Sequence, residues 1–358
     1  MRADKSLKPF EIRLYRHYRI VHGVRIALAF VLTFVLVRLL NVPEGTWPLI
    51  TLVVVMGPIS FWGNVLSRAL QRVVGTVFGA ACGVVALYLE LYSLPLMLAW
   101  CCAIMFLCGY LALGKRPYVG LLIGITLGVI VGGVPGDIET ALWRSGDVIL
   151  GSVLALLFCS IYPQRAYTHW RLQMHDTLQQ AGRLYHTHLS PNVLERPKLT
   201  RSHARLLAKI VSLRPLLAPA VKETRLGSPL FEATQTTLRN SVCTLEMLAN
   251  TYWRDRQSHF LMQSHPGLRA CQQATESVLT ELALMLKSGD TTAADQAIGR
   301  LQAAARLDGD ASQAPGQGHD PTLGGYLWLN LHLIEQLAHL HRLLGLVLQP
   351  YAKPSARP

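Results

Sequence analysis

The chain has 358 residues, of which 51% are hydrophobic and only 15% charged, with a mean hydropathy of +0.30. Ordinary soluble domains carry about 25% charged residues, so a wholly soluble globular chain is excluded. The net charge of +13 divides as +6 over residues 1–164 and +7 over residues 165–358. Neither part holds the clustered basic stripe with interleaved aromatics that nucleic-acid binding requires.

The shortage of charge is local. Residues 1–164 hold 13 Lys and Arg with 7 Asp and Glu, whereas residues 165–358 hold 21 and 14, close to a soluble density. Three regions follow: a cytoplasmic N-terminal segment at 1–19, a transmembrane domain at 20–164 and a cytoplasmic helical domain at 165–358. The seven Cys (82, 101, 102, 108, 159, 243 and 271) show no paired or zinc-type spacing, so neither a structural disulfide nor a metal site is expected. The first apolar run lacks a small-residue cleavage site and is followed by others, so no cleaved signal peptide is expected.

In chain order, the N-terminal segment carries Arg2, Lys5, Lys8, Arg13, Arg16 and Arg19. Six apolar stretches come next, at about 20–40, 48–62, 73–89, 94–113, 118–134 and 142–162, against the ~20 residues that one crossing needs. Only the fourth is a full charge-free crossing; the others are shorter or contain Gly, Pro or an ionisable residue. Arg68, Arg72, Lys115, Arg116 and Arg165 fall on one set of loops and exits, whereas Glu44, Glu90, Asp137 and Glu139 fall on the alternate set. Loops rich in Lys and Arg stay inside, which places both termini in the cytoplasm and fits six spans. Trp47, Trp62 and Trp143 stand at span ends, where an aromatic belt is expected.

Within the spans, Arg72 precedes Gly79 by seven residues and Arg144 precedes Gly151 by seven. This shared spacing suggests an inverted repeat of two three-helix units, although a single spacing also arises by coincidence. Gly75, Gly79 and Gly83 recur every four residues in span three, and Gly120, Gly124, Gly128 and Gly132 do so in span five. Small residues on one helical face let helices approach closely in lipid, and Gly151 joins this packing set. Gly57-Pro58 interrupts span two and predicts a kink or break there.

Charges at membrane depth cost at least a few kcal/mol, so each needs a partner or a purpose. Arg25 lies inside span one, Arg38 near its outer end, Arg72 at the opening of span three, and Arg144 with Asp147 at the opening of span six. One account is structural, with Arg38 and Arg72 anchoring at interfaces and Arg144 pairing with Asp147 one turn away. The other is functional, with an Arg gripping a carboxylate and Asp147 exchanging a proton, His22 assisting one turn before Arg25.

Beyond residue 163 the pattern turns amphipathic. One helix is expected to continue out of the membrane through Trp170 to about Leu189, with others at about 201–217, 228–254, 266–287, 292–307 and 326–348. Residues 308–325, rich in Gly, Pro, Asp and Gln, read as a loop. No catalytic motif appears, so there are no candidate catalytic residues, no cofactor is called for, and packing, dimerisation or regulation is the expected role of this part.

The run Arg72-Val73-Val74-Gly75-Thr76-Val77-Phe78-Gly79 resembles the Arg-x-x-Gly-Thr-x-x-Gly signature of the fusaric acid resistance family, related to the aromatic acid exporters. Trp47-Pro48, Arg144 with Asp147 and Gly151, and Tyr162-Pro163 match as well, and the opening through Arg25 is similar to short single-unit inner-membrane members of enteric bacteria. The resemblance implies an all-α fold, a six-helix transmembrane bundle followed by a cytoplasmic helical domain, in a bacterial inner-membrane efflux protein for aromatic carboxylates. Arg25, Arg72 and Thr76 are then the expected substrate-binding residues, with Asp147 and Arg144 for proton coupling. Longer members resemble two such units in tandem, so this half-length chain implies a homodimer. The expected partners are the lipid bilayer, a small organic anion, a second copy of the chain and a periplasmic adaptor protein, with no nucleic acid. An anion channel and a non-transporting scaffold of the same fold remain the alternatives, and an enzyme is not expected.

Overall fold

A computed structural model describes residues 6–43, 45–57, 61–114, 117–133, 138–161, 164–189, 197, 200–254, 256–264, 266–312 and 321–349. Arg2, Lys5, Glu44, Pro58, Lys115, Arg116, Asp137, Tyr162, Pro163 and the ring of Trp62 therefore lie outside the described residues. Among the described residues the chain is all-helical, with one isolated bridge between Phe61 and Gln164. The helices are α1 (Pro9–Arg16), α2 (Tyr18–Leu39), α3 (Thr46–Met56), α4 (Trp62–Glu90), α5 (Leu94–Ala112), α6 (Pro117–Val131) and α7 (Ile138–Ile161). There follow α8 (Ala166–Leu189), α9 (Thr200–Ser212), α10 (Arg214–Thr224), α11 (Ser228–Tyr252), α12 (Arg256–Ser264), α13 (Pro266–Ser288), α14 (Thr292–Ser312) and α15 (Pro321–Leu348).

Two compact units divide these helices: His17–Arg165, and Met1–Arg16 together with Ala166–Pro358. In the first unit, four helices are long and apolar enough to cross a bilayer, over Tyr18–Leu39, Asn64–Glu90, Leu94–Ala112 and Leu142–Ile161. The other two are short: α3 has 11 residues and α6 has 15. At 1.5 Å per residue they run about 16 and 22 Å, less than the ~30 Å hydrocarbon layer. Span three differs from expectation at its start. Helix α4 begins at Trp62, so Arg72 lies ten residues inside it rather than opening it, and Arg144 likewise lies six residues into α7.

Apolar side chains gain little by leaving lipid for a protein interior, so membrane helices associate through close backbone packing. The glycines of α4 provide it. A β-carbon added at Gly75 would meet Leu122 Cβ at 2.6 Å, at Gly79 Thr126 Cβ at 2.6 Å and the Ile123 carbonyl oxygen at 2.9 Å, and at Gly83 Ile130 at 2.9 Å. Residues 122, 126 and 130 ascend α6 as 75, 79 and 83 ascend α4, so the two helices run in the same direction. Gly120 of α6 faces the other way, against Cys108 and Leu111 of α5, and Gly124 meets Met105. A β-carbon at Gly128 would meet nothing within 4 Å, and at Gly132 only the Gly128 carbonyl, so among the described residues these two do not extend the packing stripe. On α7, Gly151 seats against Pro48 and Thr51 of α3, the Pro48 carbonyl oxygen lying 2.6 Å from where its β-carbon would be. The third helix of each triplet thus packs on the second helix of the other: α4 on α6, and α7 on α3.

The second unit is built around Trp170, Phe231 and Tyr326, each with 0% exposure. Trp170 meets Phe231 edge-on at 5.1 Å. The expected continuous helix out of the membrane is instead interrupted: α7 ends at Ile161 and α8 starts at Ala166. The freed N–H groups of Ala166 and Tyr167 donate to the two carboxylate oxygens of Glu223, at 2.9 and 3.0 Å, a cap supplied from α10. The helix expected at 201–217 breaks at Leu213, where Arg214-Pro215 starts α10, because proline suits a first helical turn and not an interior. The expected loop at 308–325 is shorter, with α14 running to Ser312 and α15 starting at Pro321. At the C-terminus of α13, Arg171 Nε donates to Leu286 O at 2.9 Å and the Leu7 backbone N–H to Lys287 O at 3.0 Å. Leu7 and Tyr15 are buried, so the residues before the first span belong to the same unit as those after the last.

The glycine contacts make a direct prediction. Gly79→Ala overpacks α4 against the α6 backbone and costs about 1–3 kcal/mol. Gly128→Ala stays within about 0.5 kcal/mol of the parent. Melting of the purified chain in detergent should separate the two variants, and equal melting temperatures would contradict the packing described here.

Candidate functional site

The break after α3 gathers the polar chemistry of the membrane unit. Gly57 ends α3 with φ of 43°, a left-handed backbone that favours glycine, and the Arg68 guanidinium presses against the place where its β-carbon would be. Its carbonyl, which no further helical turn can take up, receives His22 Nε2 at 2.8 Å. Arg25 Nη2 donates to His22 Nδ1 at 3.1 Å. The tautomer follows: a Nδ1 that accepts leaves the proton on Nε2, so the imidazole is neutral and donates to Gly57. Two guanidinium groups and one imidazole from α2 and α4 are therefore gathered around Gly57, with the imidazole on its carbonyl. The Phe61–Gln164 bridge joins the start of α4 to the exit of α7 in the same unit.

From Arg68 the polar line runs on along α4. Arg68, Arg72 and Thr76 are spaced by four, so they share a helix face, and Arg72 and Thr76 are buried at 6% and 4% exposure. Arg72 Nε and the hydroxyls of Thr33 on α2 and Thr51 on α3 are buried with no hydrogen-bond partner among the described residues. Buried polar atoms left open in this way are uncommon and call for an explanation. Asp147 on α7, packed against α4, is also buried, with 2% exposure.

The other end of α3 holds a second basic contact. Arg144 Nη1 donates to the Val129 carbonyl at 3.1 Å, near the end of α6, and its guanidinium lies 5.8 Å from the ring centre of Trp47. Arg144 is thus engaged with α6 and α3. Each short apolar helix consequently ends with a basic side chain on a carbonyl: His22, backed by Arg25, on Gly57 of α3, and Arg144 on Val129 of α6. Arg38 lies over Phe34 at 5.7 Å near the exposed C-terminal end of α2.

Of the residues singled out from sequence, the structure places Arg25 with His22 and Gly57, and Arg72 with Thr76 on one buried face. Arg68 was passed over as a loop charge. Its spacing of four before Arg72 was the available signal. The open hydroxyls of Thr33 and Thr51 carried none, because threonines in apolar helices usually bond their own preceding turn, as Thr126 does to Leu122 O at 2.8 Å.

The description of the fusaric acid resistance protein family matches residues 19–352. The chain belongs to that family. As a family member it is 52% identical over 349 residues to inner membrane protein YeeA of Escherichia coli (strain K12), covering 96% of this chain and 98% of that protein. It is 27% identical over 168 residues to the p-hydroxybenzoic acid efflux pump subunit AaeB of Edwardsiella ictaluri (strain 93-146), covering 42% of this chain and 26% of that protein. Like others of the fusaric acid resistance family it is a membrane protein, and its apolar helices are those of the unit just described.

The Gly57–Arg68 contact is testable by a double-mutant cycle. Gly57→Ala costs about 1–2 kcal/mol for its backbone alone, and more because Arg68 must move. Arg68→Ala in the same chain relieves that second part, so the double variant loses less than the sum of the two single changes. Strict additivity would show that Arg68 does not press on Gly57.

Proposed function

We propose that the chain exports small aromatic carboxylates across the bacterial inner membrane in exchange for protons. The observation that carries this reading is the buried Arg72, its Nε open, on the same α4 face as Arg68 and within a unit whose broken helix gathers Arg25 and His22. Cations at membrane depth are costly and persist where they meet a partner or an ion pathway. A guanidinium presents a planar fork of donors to a carboxylate, and Thr76, Thr51 and Thr33 add hydroxyls along the way. Arg25 and Arg68 draw the anion to the break, Arg72 holds it, and Asp147, the buried carboxylate of α7, takes and releases the proton, with Arg144 steadying that helix against α6.

The architecture supports the same reading. Short or interrupted apolar helices at corresponding positions of two halves mark the binding region of repeat-built transporters. Helices α3 and α6 occupy those positions, each the second of three, and the α4–α6 and α7–α3 pairs exchange partners as an inverted 3+3 repeat would. Leu7 and Tyr15 pack in the same unit as the residues after α7, which supports an even number of crossings. Six crossings with both termini in the cytoplasm agree with that parity and with the basic loops. A homodimer and a periplasmic adaptor complete the proposed assembly. The name of the AaeB relative is consistent with an aromatic acid as cargo.

Uptake of 4-hydroxybenzoate into everted vesicles tests the mechanism. It should saturate, follow the proton gradient and fall about tenfold or more in Arg72→Gln, by the ~1.5–3 kcal/mol of a charged hydrogen bond. In Asp147→Asn, uptake should lose its dependence on the gradient. Gradient-independent flux in the parent would leave a channel, and parental flux in both variants would leave a scaffold. Topology has its own test: reporters fused after residues 16 and 165 should both report the cytoplasm, and opposite signals would refute an even count.

A further inference from the structure

The soluble unit contains a cavity of about 350 Å³ between α8, α11, α12 and α13. That volume is at the small end of ligand pockets, which run about 300–1,000 Å³, and suits a one-ring molecule. Its charged lining is unequal. Glu276, on the same lining, is met by His186 Nδ1 at 2.9 Å, whereas Arg269 makes no ion pair among the described residues. Gln263, Gln272 and Gln273 add amides. Gln272 Nε2 is spent on Tyr326 Oη at 3.1 Å, which leaves its carbonyl oxygen as an acceptor.

One wall carries the Tyr252 ring, which neighbouring rings hold from behind. The buried Tyr252 ring lies 4.7 Å from His259, 5.1 Å from His188, 5.6 Å from Trp253 and 5.7 Å from Tyr326, centre to centre. Burial raises the pKa of the Tyr252 phenol, and the Arg269 guanidinium partly offsets the rise, which places that cation within electrostatic reach of the phenol. A planar anion laid along Tyr252 would thus have its charge beside Arg269 and amides at its edges.

We propose that this cavity is a second binding site, in the soluble unit, for a one-ring aromatic carboxylate bearing a hydroxyl, with Arg269 holding the carboxylate and the glutamine amides the hydroxyl. The site stands whether or not the membrane unit exports such acids. If it does, the soluble unit senses the cytoplasmic level of the cargo.

Hydrogen–deuterium exchange on the purified full-length chain in detergent, titrated with 4-hydroxybenzoate, tests the proposal. Saturable protection is expected across residues 252–276, and 4-hydroxybenzamide, which lacks the charge, should produce none. Arg269→Gln should raise the apparent dissociation constant about tenfold or more. Gln273→Glu, which places a carboxylate beside the guanidinium and keeps Arg269, should do the same. Protection that survives both substitutions, equal protection by the amide, or no protection in the parent would overturn the site. Because the readout is local to α11–α13, failed transport with intact protection refutes only the export reading, and the reverse result refutes only this one.

Discussion

The membrane unit depends on how the carbonyl of Gly57 is satisfied. A helix that stops in hydrocarbon leaves carbonyl groups that water cannot reach, each costing several kcal/mol if left open. Here the break is held from two sides: His22 donates to the carbonyl with Arg25 behind it, and Arg68 lies against the α-carbon that only glycine leaves bare. The same contacts that make the interruption tolerable bring three basic side chains to one place. The residues that meet this structural need are also the ones on which the proposed anion path draws, so a structural and a functional account of a buried cation are not exclusive.

Much of this was legible in the residues. The six apolar stretches, the glycine stripe of α4 and the interruption at Gly57 follow from composition and spacing, and the run from Arg72 to Gly79 carries the resemblance to the family. The limits of the helices did not. Hydropathy marks where a chain tolerates lipid and not where a helix begins, so α4 was read as starting at 73 although its polar first turns are equally helical. Periodicity puts Gly120, Gly124, Gly128 and Gly132 on one face, but cannot say where the neighbouring helix passes. In the structure α5 reaches the first two only. Arg144 also reaches Val129 and Trp47, contacts between segments 15 and 97 residues apart that local pattern cannot reveal.

The second unit shows the same division. Its amphipathic helices were visible, whereas their ends are set by long-range partners. Glu223 caps α8 from 57 residues away, and Arg171 reaches a carbonyl 115 residues on. Such caps replace the local Ser, Thr or Asp signals on which helix starts are normally recognised. A domain tied in this way is specified by its tertiary contacts more than by its turns.

The bond from Leu7 to Lys287 bears on the order of biosynthesis. Leu7 emerges from the ribosome before any membrane helix, and its acceptor only after all of them have been threaded into the bilayer. The opening residues must therefore wait, unpartnered, through the whole of insertion and then close the domain as its final piece. The unit that holds Leu7 and Tyr15 therefore closes only after residues on both sides of the apolar helices have been made.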